Sequence, residues 1–224
     1  FKRLLKISGY YLFIGYLALW WIFVHLVNEG LPVYFLLGIT LTVNSALLVY
    51  LFATRKIVFT NFHKYIIALF YIGGGCIFLT MIPYRQDGFA QYLIMGVFIL
   101  IWVNDTFAYV VGRTLGRHKL FPSISPNKTI EGALGGVIFA LIAAYLMSRF
   151  EPILSTVQWL SLAAVIVVTG NLGDLLESKF KRVAGVKDSG AIFPGHGGVL
   201  DRLDSLVFAA PFAYLMLILY THVP

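Results

Sequence analysis

The chain has 224 residues, 59% of them hydrophobic and 12% charged, with a formal net charge of +7. A water-soluble domain is about 45–50% apolar and about 25% charged, and a single core of this size cannot hide so much apolar surface. A soluble globular domain is therefore excluded, and lipid is the solvent. The single cysteine, Cys76, leaves no intramolecular disulfide to form. The first residue is Phe1 rather than Met, so an upstream segment with further spans is expected.

A helix needs about 20 mostly apolar residues to cross a bilayer. Seven stretches qualify in chain order, at roughly 7–27, 31–53, 65–82, 89–111, 133–148, 155–173 and 203–220. The second contains Asn44 and Ser45, expected to face neighbouring helices rather than lipid. The third carries Gly73, Gly74 and Gly75, which allow close helix packing, and Cys76, read as a small packing residue. The fifth is short, with room to begin earlier, near Ile130. Trp20, Trp21, Trp102 and Trp159 are read as lipid-facing or packing residues. The apolar runs are continuous rather than alternating, which favours helices over a closed barrel. The expected fold is all-α, a polytopic integral membrane protein with about seven transmembrane helices. It divides into N-terminal helices over 1–100 and a polar, site-bearing region over 101–224.

Lys and Arg collect on the cytoplasmic side of membrane proteins. With the N-terminus inside, 15 of the 17 basic residues fall inside, leaving only Arg85 and Arg149 outside. The opposite orientation would reverse that split. Glu29, Asp87 and Glu151 lie in short outside loops, whereas Asp105, Glu131, Asp174, Glu177, Asp188, Asp201 and Asp204 fall at or near the inside. Topology does not require carboxylates there. They serve either salt bridging at a polar membrane face or a metal-assisted site for an anionic substrate.

Two connections on that side carry the polar motifs. The segment 112–132 is basic, and Pro122 and Pro126 argue against a regular helix. Thr129 precedes a helix start, where its hydroxyl can cap free amides. Ser125, Lys128 and Thr129 suit a phosphate, although a solvated loop binding acidic lipid heads fits equally well. In the segment 170–205, Asp174, Ser178 and Lys181 share one helical face, with Lys179 and Arg182 on its flanks. Glycines follow around Lys187 and Asp188, able to bring backbone amides to an anion. Asp201 and Asp204 then stand at the mouth of the last span. Carboxylates on two helices suit magnesium shared with substrate phosphates, with neighbouring cations neutralising the remainder. That pattern fits nucleotidyl or phosphoryl transfer. There is no GxxxxGK[ST], HExxH or GxSxG. The five histidines (His25, His63, His118, His196 and His222) are too dispersed for a zinc site.

The stretch SKFKRVAGVKDSGAIFPGHGGVLDRLD resembles the signature of the phosphatidate cytidylyltransferase (CDP-diacylglycerol synthase) family. The matching residues are Ser178, Lys181, Arg182, Lys187, Asp188, His196, Gly197, Gly198, Asp201, Arg202 and Asp204. Asp105, Ala108 and Tyr109 resemble a second family segment. Ser125, Pro126, Lys128, Thr129, Glu131 and Gly132 resemble a third. The resemblance covers about 102–205.

It implies transfer of CMP from CTP to phosphatidate, giving CDP-diacylglycerol and pyrophosphate, with magnesium and room for a second cation. Its partners would be CTP, phosphatidate and membrane lipid, with no nucleic acid, in a homodimer. The setting would be a bacterial inner membrane with the site facing the cytoplasm. Asp174, Asp201 and Asp204 are then the expected metal ligands, Asp204 alternatively orienting Arg202. Ser178, Lys181 and Arg182 are expected on phosphate, with Lys128 and Lys187 as further phosphate candidates. Asp188 would hold Lys187 or a lysine of the other connection. His196 would position a phosphate or brace the glycine turn. Asp105, ionisable within a span, is a functional candidate, against a role as partner of Arg113. A CTP-dependent lipid kinase shares this logic. A transporter is disfavoured, because the polar residues gather at one face rather than at the midplane and no internal repeat is seen.

Overall fold

The computed structural model describes residues 7, 9–29, 31–53, 59–85, 88–186, 188–190 and 198–222. Helices α1 (Gly9–Glu29) and α2 (Leu31–Phe52) come first. The next span is composite, with α3 (Asn61–Ile67), a π-helical segment (Ala68–Gly74) and α4 (Gly75–Met81). A two-stranded turn, β1 (Tyr84–Arg85) with β2 (Gly88–Phe89), leads to α5 (Gln91–Thr114). A hairpin of β3 (Lys119–Phe121) and β4 (Ser125–Thr129) then feeds α6 (Ile130–Phe150), α7 (Thr156–Ala184) and α8 (Leu200–His222).

Among the described residues, six helical stretches are long and apolar enough to cross a membrane. Helix α1 is 21 residues long, with a shorter apolar stretch at Tyr11–Trp21. The fifth expected span does begin at Ile130, and the sixth runs on to Ala184. The hairpin at 119–129 is the main departure from the sequence reading. Prolines barred a helix there, but strands this short leave little alternation to read. Its register, Lys119 opposite Thr129 and Phe121 opposite Ser125, is irregular in between.

Packing follows residue size. The glycine run at the π segment is forced by contact. A methyl at Gly74 would lie 2.5 Å from Thr40 Oγ1, and one at Gly75 would lie 2.4 Å from the Val207 carbonyl oxygen. Helix α6 presents Gly132, Gly135, Gly136, Ala140 and Ala144 as its buried face, letting α5 approach closely. Helix α7 lies centrally, with Trp159, Leu162, Ala163 and Ile166 fully buried against Leu206, Ala210 and Ala213 of α8 and Leu93, Val97 and Leu100 of α5. Phe13, Phe35, Trp102 and Phe150 are exposed, as lipid-facing residues are. Trp20 and Trp21 are exposed as well, while Trp159 is core. Asn44 is fully buried but its neighbour Ser45 is exposed. One residue is about 100° of helix, so both cannot face inward. Cys76 is exposed rather than packed, and lines a cavity of about 300 Å³ with Ile72 and Leu203.

Long-range hydrogen bonds fix which ends share a face. Lys179 Nζ donates to the carbonyls of Tyr50 (2.6 Å), Leu51 (3.1 Å) and Ala53 (3.0 Å), tying the end of α7 to the end of α2. Arg182 Nε donates to the Ile124 carbonyl in the hairpin turn at 3.2 Å. At the other end of the bundle Ser161 Oγ and Tyr220 OH lie 2.6 Å apart. The hairpin, the end of α7 and the start of α8 therefore form one polar face.

Candidate functional site

Helix α7 supplies the axis of the site. It starts in a capping box, with Gln158 N donating to Ser155 Oγ at 3.3 Å and Ser155 N to Gln158 Oε1 at 2.9 Å. It stops at Gly185, whose φ of +73° is left-handed, a conformation glycine adopts without penalty. Gly185 N donates to the Arg182 carbonyl and Val186 N to the Lys181 carbonyl, the bonding of a Schellman-type stop. Asp174, Glu177, Ser178 and Lys181 are thereby held on the last turns.

Acids and bases alternate along that face. Asp174 pairs with Lys128 of β4 and accepts from Ser178 Oγ at 3.3 Å. Lys181 Nζ lies 2.5 Å from Glu177 Oε2 and 2.9 Å from Asp201 Oδ1, bridging α7 to α8. Both oxygens of Asp201 are engaged. Oδ2 accepts from Ser189 Oγ (2.8 Å), Ser189 N (3.0 Å) and Gly198 N (2.6 Å), which folds the connecting loop onto the start of α8. Asp204 is buried and accepts from Ser205 N at 2.7 Å. Its electrostatic neighbours are Asp174 and Glu177.

The expected residues fare differently. Lys128, Asp174 and Ser178 form one group and Lys181 and Asp201 a second, side by side on one face of α7, and together they make up the lattice. Thr129 caps α6, its hydroxyl accepting from Gly132 N at 3.1 Å, and Ser125 opens β4. Arg182 braces the hairpin turn through its Nε. Arg202 and Asp188 are exposed. Asp204 Oδ1 accepts from both the backbone N and the hydroxyl of Ser205. Arg113 donates to Tyr109 OH at 2.9 Å, and Asp105 instead accepts from Asn104 Nδ2 at 3.0 Å. Lys187 and His196 lie outside the described residues. Glu131, in the third family segment, has a structural task. Its carboxylate accepts from Arg117 N (3.1 Å), from His118 N (3.2 Å) and pairs with His118 Nδ1 (2.6 Å), closing the mouth of the hairpin.

Glu177 is the residue the sequence reading passed over. It is fully buried, paired with the Lys181 ammonium, and it lies within electrostatic reach of Asp201 and Asp204. The available signal was its spacing, three residues after Asp174 and four before Lys181.

Beside the lattice a cavity of about 510 Å³ opens between α5, β4, α6 and α7. Asp105, Tyr109, Asn127, Lys128, Asn171 and Asp174 line its polar part. Its carboxylate, phenol and amide oxygens are the kind a hard divalent cation takes. Buried Glu177 and Asp204, with Asp174, concentrate negative charge next to the cavity, part of which Lys181 and Lys128 balance. The donor chemistry therefore fits magnesium, although among the described residues no three carboxylates converge on one point. Lys128 and Lys181 hold that negative charge instead.

Fold and site together define a class, a polytopic membrane protein with an acid–base lattice and a cavity at one polar face. The chain matches the cytidylyltransferase family over residues 2–220, and it belongs to that family. It is 48% identical over 150 residues to the phosphatidate cytidylyltransferase of Staphylococcus haemolyticus (strain JCSC1435), a match covering 66% of this chain and 56% of that protein. The phosphatidate cytidylyltransferase of Staphylococcus saprophyticus is 45% identical over 155 residues, covering 68% and 58%. That of Staphylococcus aureus (strain COL) is 45% identical over 150 residues, covering 66% and 56%. The chain thus spans little more than half the length of these relatives.

Proposed function

We propose that this chain carries the catalytic region, over 101–224, of a CTP:phosphatidate cytidylyltransferase. The single observation that supports it is the lattice of Lys128, Asp174, Glu177, Lys181 and Asp201 beside a nucleotide-sized cavity within membrane-spanning helices. A phosphate oxygen of phosphatidate attacks the α-phosphorus of CTP. The bond from that phosphorus to the β-bridging oxygen breaks, and pyrophosphate leaves with the electron pair. The nucleophile is already ionised at neutral pH, so no strong general base is needed. The barrier is the approach of two anions, which fixed cations offset.

Lys128, partly exposed on its pair with Asp174 at the cavity, can trade that carboxylate for phosphate oxygens, and Lys181 keeps the buried carboxylates beside it neutralised. Ser178 and Arg182 stand on adjacent turns to share in binding phosphate, with Arg202 at the start of α8 and Lys187 and His196 as further contacts. Asp174, Asp201 and Asp204 would hold magnesium, with Glu177 beside them. The bound ion supplies Lewis-acid polarisation of a phosphoryl oxygen. The polar face is placed on the cytoplasmic side of a bacterial inner membrane, where CTP meets the lipid. Seven spans and a homodimer belong to the same reading.

The test is CTP turnover in detergent with phosphatidate and magnesium, for the parent chain and Asp201→Ala. CDP-diacylglycerol and pyrophosphate from the parent, lost in the variant, are expected. Phosphorylation of a lipid alcohol by CTP, with no such product, would replace this reading with a lipid kinase.

A further inference from the structure

The lattice accounts for phosphate, but not for the polar groups that α5 and α7 carry about a turn deeper in the bundle. There Asn104 is 2% exposed on a membrane-spanning helix, where a polar side chain needs a reason. Its Nδ2 donates to Asp105 Oδ1 at 3.0 Å and to Asn171 Oδ1 at 3.2 Å, and Asn171 Nδ2 donates back to Asn104 Oδ1 at 3.4 Å. Space for this amide comes from α6. A methyl on Gly136 would lie 2.5 Å from Asn104 Oδ1. Asn104 thus fixes two cavity-lining groups, a carboxylate on α5 and an amide on α7, relative to each other. Both line the same cavity as Lys128 and Asp174, where the phosphates are placed.

We infer that Asp105 and Asn171 form the base-reading subsite of the cavity, selecting an aminopyrimidine, and that Asn104 is the positioning residue for both. The inference rests on the cytidylyl-transfer reading above. An ionised carboxylate only accepts hydrogen bonds, whereas an amide offers both N–H donors and a carbonyl acceptor. Cytosine presents a donor at its exocyclic amine beside acceptors at N3 and O2. Asp105 takes the amine and Asn171 donates to the ring. Uracil puts a carbonyl where the amine stood, and that oxygen would face the carboxylate. Carboxylate acceptance from the cytosine amine is also how proteins read this base in nucleic acid, with discrimination of about 10- to 100-fold for a good contact.

The experiment measures kcat/KM for CTP and UTP with phosphatidate as acceptor, in the parent protein and in Asp105→Asn, Asn171→Asp and Asn104→Ala. The parent is expected to prefer CTP. Asp105→Asn exchanges part of an acceptor for a donor, and the CTP:UTP ratio should fall at least 10-fold. Asn104→Ala should lower the ratio in the same direction, which a merely structural role would not do. If a variant turns over neither nucleotide, protection against thermal unfolding by CTP and by UTP gives the ratio instead. Equal loss for both nucleotides, with the ratio unchanged in all three variants, overturns the inference. So does a parent that uses CTP and UTP alike. No cytidylyl transfer by the parent, under any nucleotide, is a different failure and strikes the function proposed above.

Discussion

Lys181 is the residue on which most of the buried charge depends. It serves Glu177, which is fully buried, and Asp201, whose side chain is 12% exposed. Breaking a buried ion pair by removing one partner leaves an uncompensated charge and costs about 3–5 kcal/mol. Lys181→Met removes the common partner of two carboxylates, so its penalty should lie at or above the top of that range. Glu177→Gln removes one charge and keeps the shape, leaving Lys181 its bond to Asp201. The expected result is a marked fall in the unfolding midpoint in detergent for Lys181→Met and a small change for Glu177→Gln. Catalysis should separate from stability in the second variant, with turnover falling at least 10-fold while the protein stays folded. A Glu177→Gln protein with parental turnover would mean that this carboxylate serves packing alone.

Between elements, the site depends on how α7 is fastened at its end. Lys179 is next to the phosphate-facing residues but points away from them, over the Tyr50 ring at 4.3 Å and onto three carbonyls that end α2. Terminal carbonyls have no intrahelical partner, and a cation there is favoured by the helix dipole. Hydrogen bonds to a charged group are each worth about 1.5–3 kcal/mol. The ammonium is partly solvated, so Lys179→Met should cost about 2 kcal/mol in total, read as a lower unfolding midpoint. Turnover per folded molecule should change less than in Glu177→Gln, because the contacts of Lys179 among the described residues are to the end of α2. Spacing on α7 made Asp174, Ser178 and Lys181 legible as one face, since a helix repeats every 3.6 residues. Spacing also implied that Lys179 lies off that face. It carried no information about the α2 carbonyls, which are more than a hundred positions away in sequence. The hairpin was illegible for a related reason. Its strands are short, and they are held by Glu131 at the mouth and by two contacts to α7, Lys128 with Asp174 and Arg182 with the Ile124 carbonyl, that form only once α7 is packed.

At the scale of the whole molecule, hydrophobicity and charge determine the architecture almost alone. Continuous apolar runs gave the helices, and the placement of Lys and Arg gave a face. The hydrogen bonds of Lys179 and Arg182 bring the ends of α2 and α7 and the hairpin turn to one end of the bundle, as alternating spans require. What they leave open is which compartment that end faces. Positive charge predicts the cytoplasmic side, because translocating loops rich in Lys and Arg is disfavoured. Lys128, Lys181, Arg182 and Arg202 gather at that end, while Arg149 lies at the end of α6 on the opposite side. A labelling experiment checks it directly. In a Cys76→Ser background, a cysteine replacing exposed Asp188 should react with a membrane-impermeant maleimide only when cells are opened. A cysteine replacing Glu151, in the connection between α6 and α7, should react in intact cells once the outer layers are made permeable. Reaction at Asp188 from outside would invert the molecule and place the acid–base lattice away from CTP, and the proposed reaction would fall with it.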